Sequence, residues 1–182
     1  MEYTTDKIII IDLEATCWEG EERKNNISEI IEIGICVLDM ITGDITKNDG
    51  ILIKPEASTV SKFCTQLTTI TQEMLDKEGI SFKEACDILR TEYNAYQYTW
   101  ASYGYYDYKM LETQCTNYNI DFPVSKNHID VKELFAKKRN KKKKVGMNGA
   151  LQILDIPLEG THHRGKDDAK NIAKILYWIL KN

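Results

Sequence analysis

No stretch of the 182-residue chain stays apolar for the length a bilayer span requires. No Cys-x-x-Cys pair occurs among its five cysteines, Cys17, Cys36, Cys64, Cys86 and Cys115. Their odd number and scattered spacing argue against a disulfide framework or a thiolate zinc site, and for a reducing compartment. The N-terminal residues include Glu2 and Asp6 and lack a cleavable apolar core, so no secretory leader is expected. There is no linker rich in proline, glycine or serine, and no internal repeat. These absences together predict one domain over residues 1–182, a cytoplasmic location and no membrane partner.

Net positive charge is missing too. A balance of −4 excludes the global positive field of many nucleic-acid binders. The average conceals an asymmetry, because KKRNKKKK (137–144) holds seven of the 24 lysines and arginines. The rest of the chain is strongly acidic. With 42% hydrophobic and 29% charged residues, the composition is that of a globular protein able to bury a core.

The hydrophobic pattern sets the order of elements. Lys7 to Leu13 reads as a fully buried strand, Ile30 to Asp39 as a second and Ile45 to Ile53 as a third, and short turns between them suggest an antiparallel meander. TTITQEMLDKEG (68–79) reads as a short helix stopped at Gly79. A helix from Ser81 has Glu84 at capping-box spacing. YTWASYG (98–104) is a strand and YYDYKMLETQCTNYN (105–119) a helix. HIDVKELFAKK (128–138) is a short extended piece entering a helix. GMNGALQILDI (146–156) and GKDDAKNIAKILYWILK (165–181) are further helices, the last with Ile172, Ile175, Leu176 and Ile179 on one side. Strands first, then helices interleaved with single strands, predict an α/β fold with a mixed sheet.

Carboxylates occur where this pattern is most apolar. Residues two apart on a strand share a face, so Asp12 and Glu14 project together from the end of the first strand. Asp107 follows another strand and opens a helix, where it could equally serve as first-turn charge. His163 and Asp168 lie five apart and would diverge on a continuous helix. They converge only if His163 sits in the preceding loop and folds back, a bend Gly165 permits. Each residue alone has an ordinary explanation as a cap, a dipole partner or a solvated loop side chain. As a set, four carboxylates at one point would repel without cations. Hard oxygen donors suit Mg²⁺ or Mn²⁺, and two such ions suit displacement at phosphorus, with neutral His163 taking the proton of an attacking water.

DLEAT with Asp12 and Glu14, then Asp107, then His163 with Asp168 resembles the DEDDh exonucleases, relatives of the proofreading subunit of bacterial DNA polymerase III. IDLEATCWEG, SEIIEIGICVLD, KPEASTVSKFCTQLTTITQEML and HHRGKDDAKNIAKIL are similar to the branch that trims histone mRNA and small-RNA 3′ ends, with the KapD-type bacterial proteins. The matches run from about residue 7 to residue 180. The resemblance implies a ribonuclease H-like, five-stranded mixed sheet flanked by helices. It implies 3′→5′ hydrolysis of single-stranded RNA, or of RNA and DNA alike, releasing nucleoside 5′-monophosphates with two Mg²⁺ or Mn²⁺. Asp12, Glu14, Asp107 and Asp168 would hold metal and His163 would be the base, with His162 one residue too far from Asp168 for the family spacing. Backbone groups at Ala15 and Thr16 would hold the terminal sugar, Leu67 would wedge against the last base, and Tyr106 would stack on a base. ASYGYYDY has Tyr106 where the family often has tryptophan. The lysine run falls where a variable loop is expected, as a phosphate-binding guide for the strand rather than only a solvated loop. The competing readings are a non-catalytic module for RNA 3′ ends on the same scaffold, and an unrelated metal phosphatase.

Overall fold

A computed structural model describes residues 6–182. In chain order the elements are β1 (Lys7–Ala15), α1 (Glu22–Asn25), β2 (Ile30–Asp39), β3 (Ile45–Leu52), α2 (Lys62–Thr68), α3 (Gln72–Glu78), α4 (Phe82–Thr91), β4 (Trp100–Ser102), α5 (Tyr106–Asn117), β5 (His128–Asp130), α6 (Val131–Lys138), α7 (Met147–Leu154) and α8 (Gly165–Lys181). The strands form one mixed sheet in the order β3-β2-β1-β4-β5. β1–β2 and β2–β3 pair antiparallel; β1–β4 and β4–β5 pair parallel. The α/β expectation holds.

The continuous isoleucine run of β1 follows from its central place, with both faces covered. Ile8 and Ile10 join Cys36, Leu38, Phe135, Ile172 and Ile175 under the C-terminal helices. Ile9, Ile11 and Leu13 join Ile33, Ile35, Phe82, Leu89 and Trp100 on the opposite face. Period-two alternation therefore sends Asp12 and Glu14 to the α8 side.

Two connections differ from expectation. β2 and β3 do form a hairpin, but β1 and β2 are joined by residues 16–29, which carry α1, and not by a tight turn. Residues 62–68 form α2, capped by the Ser61 side chain accepting from the Cys64 N–H at 2.9 Å. The capping box at Ser81 and Glu84 forms as expected.

Close backbone contact fixes the last helix. Gly34 pairs with Asp12 across the sheet. A Cβ at Gly34 would lie 1.8 Å from the Gly165 carbonyl carbon, and one at Gly165 would lie 2.8 Å from the Gly34 nitrogen. Gly165 is thus needed for the approach of α8 to β2. The fold-back that Gly165 is expected to permit is made at His163 itself, which is left-handed at φ 65°. Among the described residues no helix is long and apolar enough to cross a membrane.

Candidate active site

The glycine contact presses the first turn of α8 against the end of β1, bringing Asp168 to Asp12 and Glu14. One carboxylate oxygen from each of Asp12, Glu14 and Asp168 lies within 4.8 Å of the others. Glu14 and Asp168 are buried, at 8% and 4% exposure, and Asp12 is part-exposed. Asp168 Oδ2 accepts from the His163 N–H at 2.9 Å and is 2.9 Å from His162 Nδ1. Its other oxygen, Oδ1, is buried and has no hydrogen-bond partner. A buried carboxylate oxygen left unpaired among three clustered oxygen donors fits a divalent cation.

Electrostatics agree with that fit. Burial raises the Asp12 pKa well above normal, reinforced by Asp107, Glu14, Asp168 and Glu32. Burial, then Asp168, Glu32 and Asp107, lift Glu14 to about 8, with Arg164 opposing. Burial lifts Asp107 to about 6 against hydrogen bonds that favour its charge, one of them from the Leu13 N–H to Oδ1 at 3.2 Å. Asp168 is raised by burial as well. Like charges gathered in a desolvated corner resist ionisation until cations neutralise them.

Asp107 sits at the start of α5 beside this group but outside its tightest set. His163 reaches it, with Nδ1 3.8 Å from Glu14 Oε1. Burial and neighbouring His162 hold the His163 pKa below normal. The two imidazoles stack at 4.0 Å and 16°. Spacing alone sets His162 aside, yet the His163 bend returns its ring to Asp168, and His162, His163 and Asp168 form a second close set.

Sequence reasoning missed Glu32 and Arg164. Glu32 is fully buried and lies opposite Glu14 in the β1–β2 register. It accepts from the Gly165 N–H at 2.8 Å and from Arg164 Nε and Nη2 at 3.2 Å each. The fork-shaped pairing ties β2 to the entrance of α8. A glutamate inside IIEIGIC is a signal of the same kind as Asp12 in β1.

The expected nucleotide contacts divide. Leu67 and Tyr106 come from distant segments, yet line one cavity of about 500 Å³ with Cys17, Trp18, Arg23 and Phe63. Tyr106 is 61% exposed there and directly precedes Asp107 at the start of α5, so the cavity adjoins that carboxylate. Thr16 is fully buried and its N–H donates to the Glu29 carbonyl at 2.8 Å. Its hydroxyl accepts from the Glu29 N–H at 2.9 Å. The Thr16 amide therefore serves the scaffold, continuing the β1–β2 pairing past the bulge between Glu14 and Ala15. Ala15, at that bulge, is half-buried and does not line the cavity. A second cavity, about 490 Å³, lies across Ser28 over Met110, Thr113 and Gln114 and holds none of the clustered carboxylates.

Comparison with known proteins adds to this geometry. A family model described as Exonuclease (RNase_T) matches residues 9–176. Human 3'-5' exoribonuclease 1 is 30% identical over 186 residues, covering 97% of this chain and 53% of the relative. ERI1 exoribonuclease 2 of Xenopus laevis is 30% identical over 193 residues, covering 92% and 27%. The chain thus spans between about a quarter and a half of these curated relatives. The solved nuclease domain of 3'hExo, a DEDDh family member bound to rAMP, superposes with a TM-score of 0.83 at 30% identity, covering 98% of this chain and 92% of that one.

Proposed function

The chain belongs to the exonuclease family, and we propose that it removes nucleotides from the 3′ end of single-stranded RNA, releasing nucleoside 5′-monophosphates. The observation that carries this reading is the cluster of Asp12, Glu14 and Asp168 with a buried, unpartnered Asp168 oxygen. The rAMP held by the similar solved nuclease domain supports RNA as substrate.

Asp12, Glu14, Asp107 and Asp168 would hold two Mg²⁺ or Mn²⁺ ions, which supply charge neutralisation at the phosphate and a water of lowered pKa. The chain's own groups do the rest. His163 presents Nδ1 toward Glu14, leaving Nε2 to take the proton of the attacking water. Its lowered pKa keeps it neutral, and so able to act as base, at neutral pH. Asp168 Oδ2, fixed by the His163 N–H and by His162, holds the loop in reach. Glu32 and Arg164 fix the start of α8 and with it the Asp168 position. Tyr106 and Leu67 receive the terminal base, and the Ala15 backbone receives the terminal sugar.

A time course on 5′-labelled single-stranded RNA and its DNA counterpart, with Mg²⁺, Mn²⁺ or EDTA, tests the reading. A ladder shortening from the 3′ end and absent in EDTA is expected. Intact oligonucleotides bound by the protein would instead make it an end-binding module, and cleavage of phosphate monoesters alone would make it a phosphatase.

The base contact has its own test. Stacking on an aromatic ring contributes on the order of 1–3 kcal/mol, so Tyr106→Ala is expected to raise KM for RNA about tenfold with little change in kcat. Leu67→Ala is expected to act in the same direction and less. Steady-state kinetics decide: an unchanged KM in both variants removes the cavity from substrate binding.

A further inference from the structure

The lysine run has a defined place in the fold. β4 and β5 are parallel to β1, so their C-terminal ends lie at the end of the sheet that carries Asp12 and Glu14. α6 starts directly after β5, at that end. The loop then returns: the Lys141 N–H bonds the Ala136 carbonyl at 2.9 Å, and Asn140 turns with φ 51°. Lys144 pairs with Glu133, in the first turn of α6. The Tyr103 hydroxyl donates to the Val145 carbonyl at 3.1 Å, and Tyr103 lies four residues before Asp107. The run is therefore fastened at its far end to the segment that delivers Asp107.

Its charges are unequal. Lys137 and Lys144 share Glu133, and the Arg139 guanidinium lies over the Phe135 ring at 5.5 Å. Lys138, Lys141, Lys142 and Lys143 are exposed and form no ion pair with another described residue. Four unpaired cations thus cluster on a loop tied to the segment that delivers Asp107, in a chain whose remaining residues carry a net negative charge. A polyanion drawn to the carboxylate cluster meets repulsion there, and a concentrated basic ridge on a loop fastened to the Asp107 segment supplies an opposing field.

We propose that Lys138, Lys141, Lys142 and Lys143 form a docking ridge for the phosphate backbone of the upstream part of a single-stranded RNA, beyond the nucleotides held in the site. The proposal rests on the nuclease reading for its substrate, but its test is separable. It predicts that the ridge acts on long strands and leaves the shortest substrates untouched.

The experiment compares the full chain with a variant carrying Lys138→Gln, Lys141→Gln, Lys142→Gln and Lys143→Gln. A charge-matched control replaces Lys47, Lys77, Lys83 and Lys181, which lie on other elements. Binding of a labelled 30-nucleotide RNA is measured in EDTA against salt, and dinucleotide hydrolysis is measured with Mg²⁺. Each phosphate contact on a single strand contributes about 0.7 to the slope of log affinity against log salt. The ridge variant is expected to lose a slope of about 3, roughly a 50-fold smaller change between 50 and 200 mM salt. Its dinucleotide turnover and the control's slope are expected to match wild type. An unchanged slope in the ridge variant, or an equal loss in the control, overturns the proposal. So does a wild-type slope with lost nuclear accumulation of a fluorescent fusion, which would assign the run to an import receptor. If neither the wild-type chain nor any variant cleaves a substrate but the slope still falls, the nuclease reading fails and the ridge stands.

Discussion

Asp12→Asn is expected to lower kcat for RNA hydrolysis about 10³-fold or more while raising the stability of the metal-free protein. The first effect follows from position. Asp12 faces all the other acids, and Asp107, Glu14, Asp168 and Glu32 each push its pKa up after burial has done so. An asparagine there keeps the shape and one oxygen but removes the charge that would hold cations. Losing several kcal/mol of transition-state charge stabilisation corresponds to a factor on the order of 10³. The second effect has the opposite sign because the carboxylates repel one another. Relieving about 1 kcal/mol of that repulsion in a domain of this size raises Tm by about 3 °C. The two measurements together separate a catalytic effect from misfolding, since a damaged fold would lower both activity and the Tm in EDTA. Activity within tenfold of wild type would remove Asp12 from the metal site.

The parts of this arrangement that sequence reveals are those set by periodicity. β2 and α8 end where the apolar patterns of IIEIGICVLD and GKDDAKNIAKILYWILK end. Asp12 and Glu14 share a face because a strand has no alternative. What stayed hidden depends on contacts between distant segments or on single backbone angles. Seven residues are too few for α2 to show a helical stripe, and only its Ser61 cap marks it. The bend that returns the histidines is a left-handed φ at His163, not at the nearby glycine, because Gly165 is already committed to Gly34. Glu32 was legible in principle, as a charge inside a buried strand, but its partner Arg164 lies 132 residues away. Leu67 and Tyr106 stand out separately in the sequence, and only the fold makes them walls of one cavity.

The same repulsion predicts how pH and metal act on stability. Glu14 has its pKa raised from 4.5 to about 8 and Asp107 from 3.8 to about 6, in both cases chiefly by burial. Below the unfolded values, folded and unfolded chains alike bind these protons, and the two groups contribute nothing. As pH rises past them the unfolded chain releases its protons first, so stability falls until the folded pKa is passed, near 6 for Asp107 and near 8 for Glu14. Carboxylates with lowered pKa work the other way. Glu159, held at about 2 by Lys170 and Lys174, stabilises the protein above its unfolded value and loses that contribution only in strong acid. His128, lowered by burial to about 4, and His163, also lowered, oppose this, since stability rises as the unfolded imidazoles lose their protons toward pH 6.5. Between about pH 5 and 8 the two carboxylates outweigh them, and stability in EDTA is expected to drop by on the order of 3 kcal/mol. Cations bind the deprotonated set and must displace these protons at low pH, so the stabilisation given by saturating Mg²⁺ is expected to grow with pH over the same window. Thermal unfolding at pH 5, 6, 7 and 8, with EDTA and with about 10 mM Mg²⁺, measures both trends. A Mg²⁺ effect on Tm that is flat across the series would mean that cation binding displaces no protons, so that the carboxylates are already ionised at pH 5 and their pKa values are not raised. The growing effect, abolished in Asp12→Asn, would tie the buried charge, the metal and the fold of the β1–α8 junction into one equilibrium.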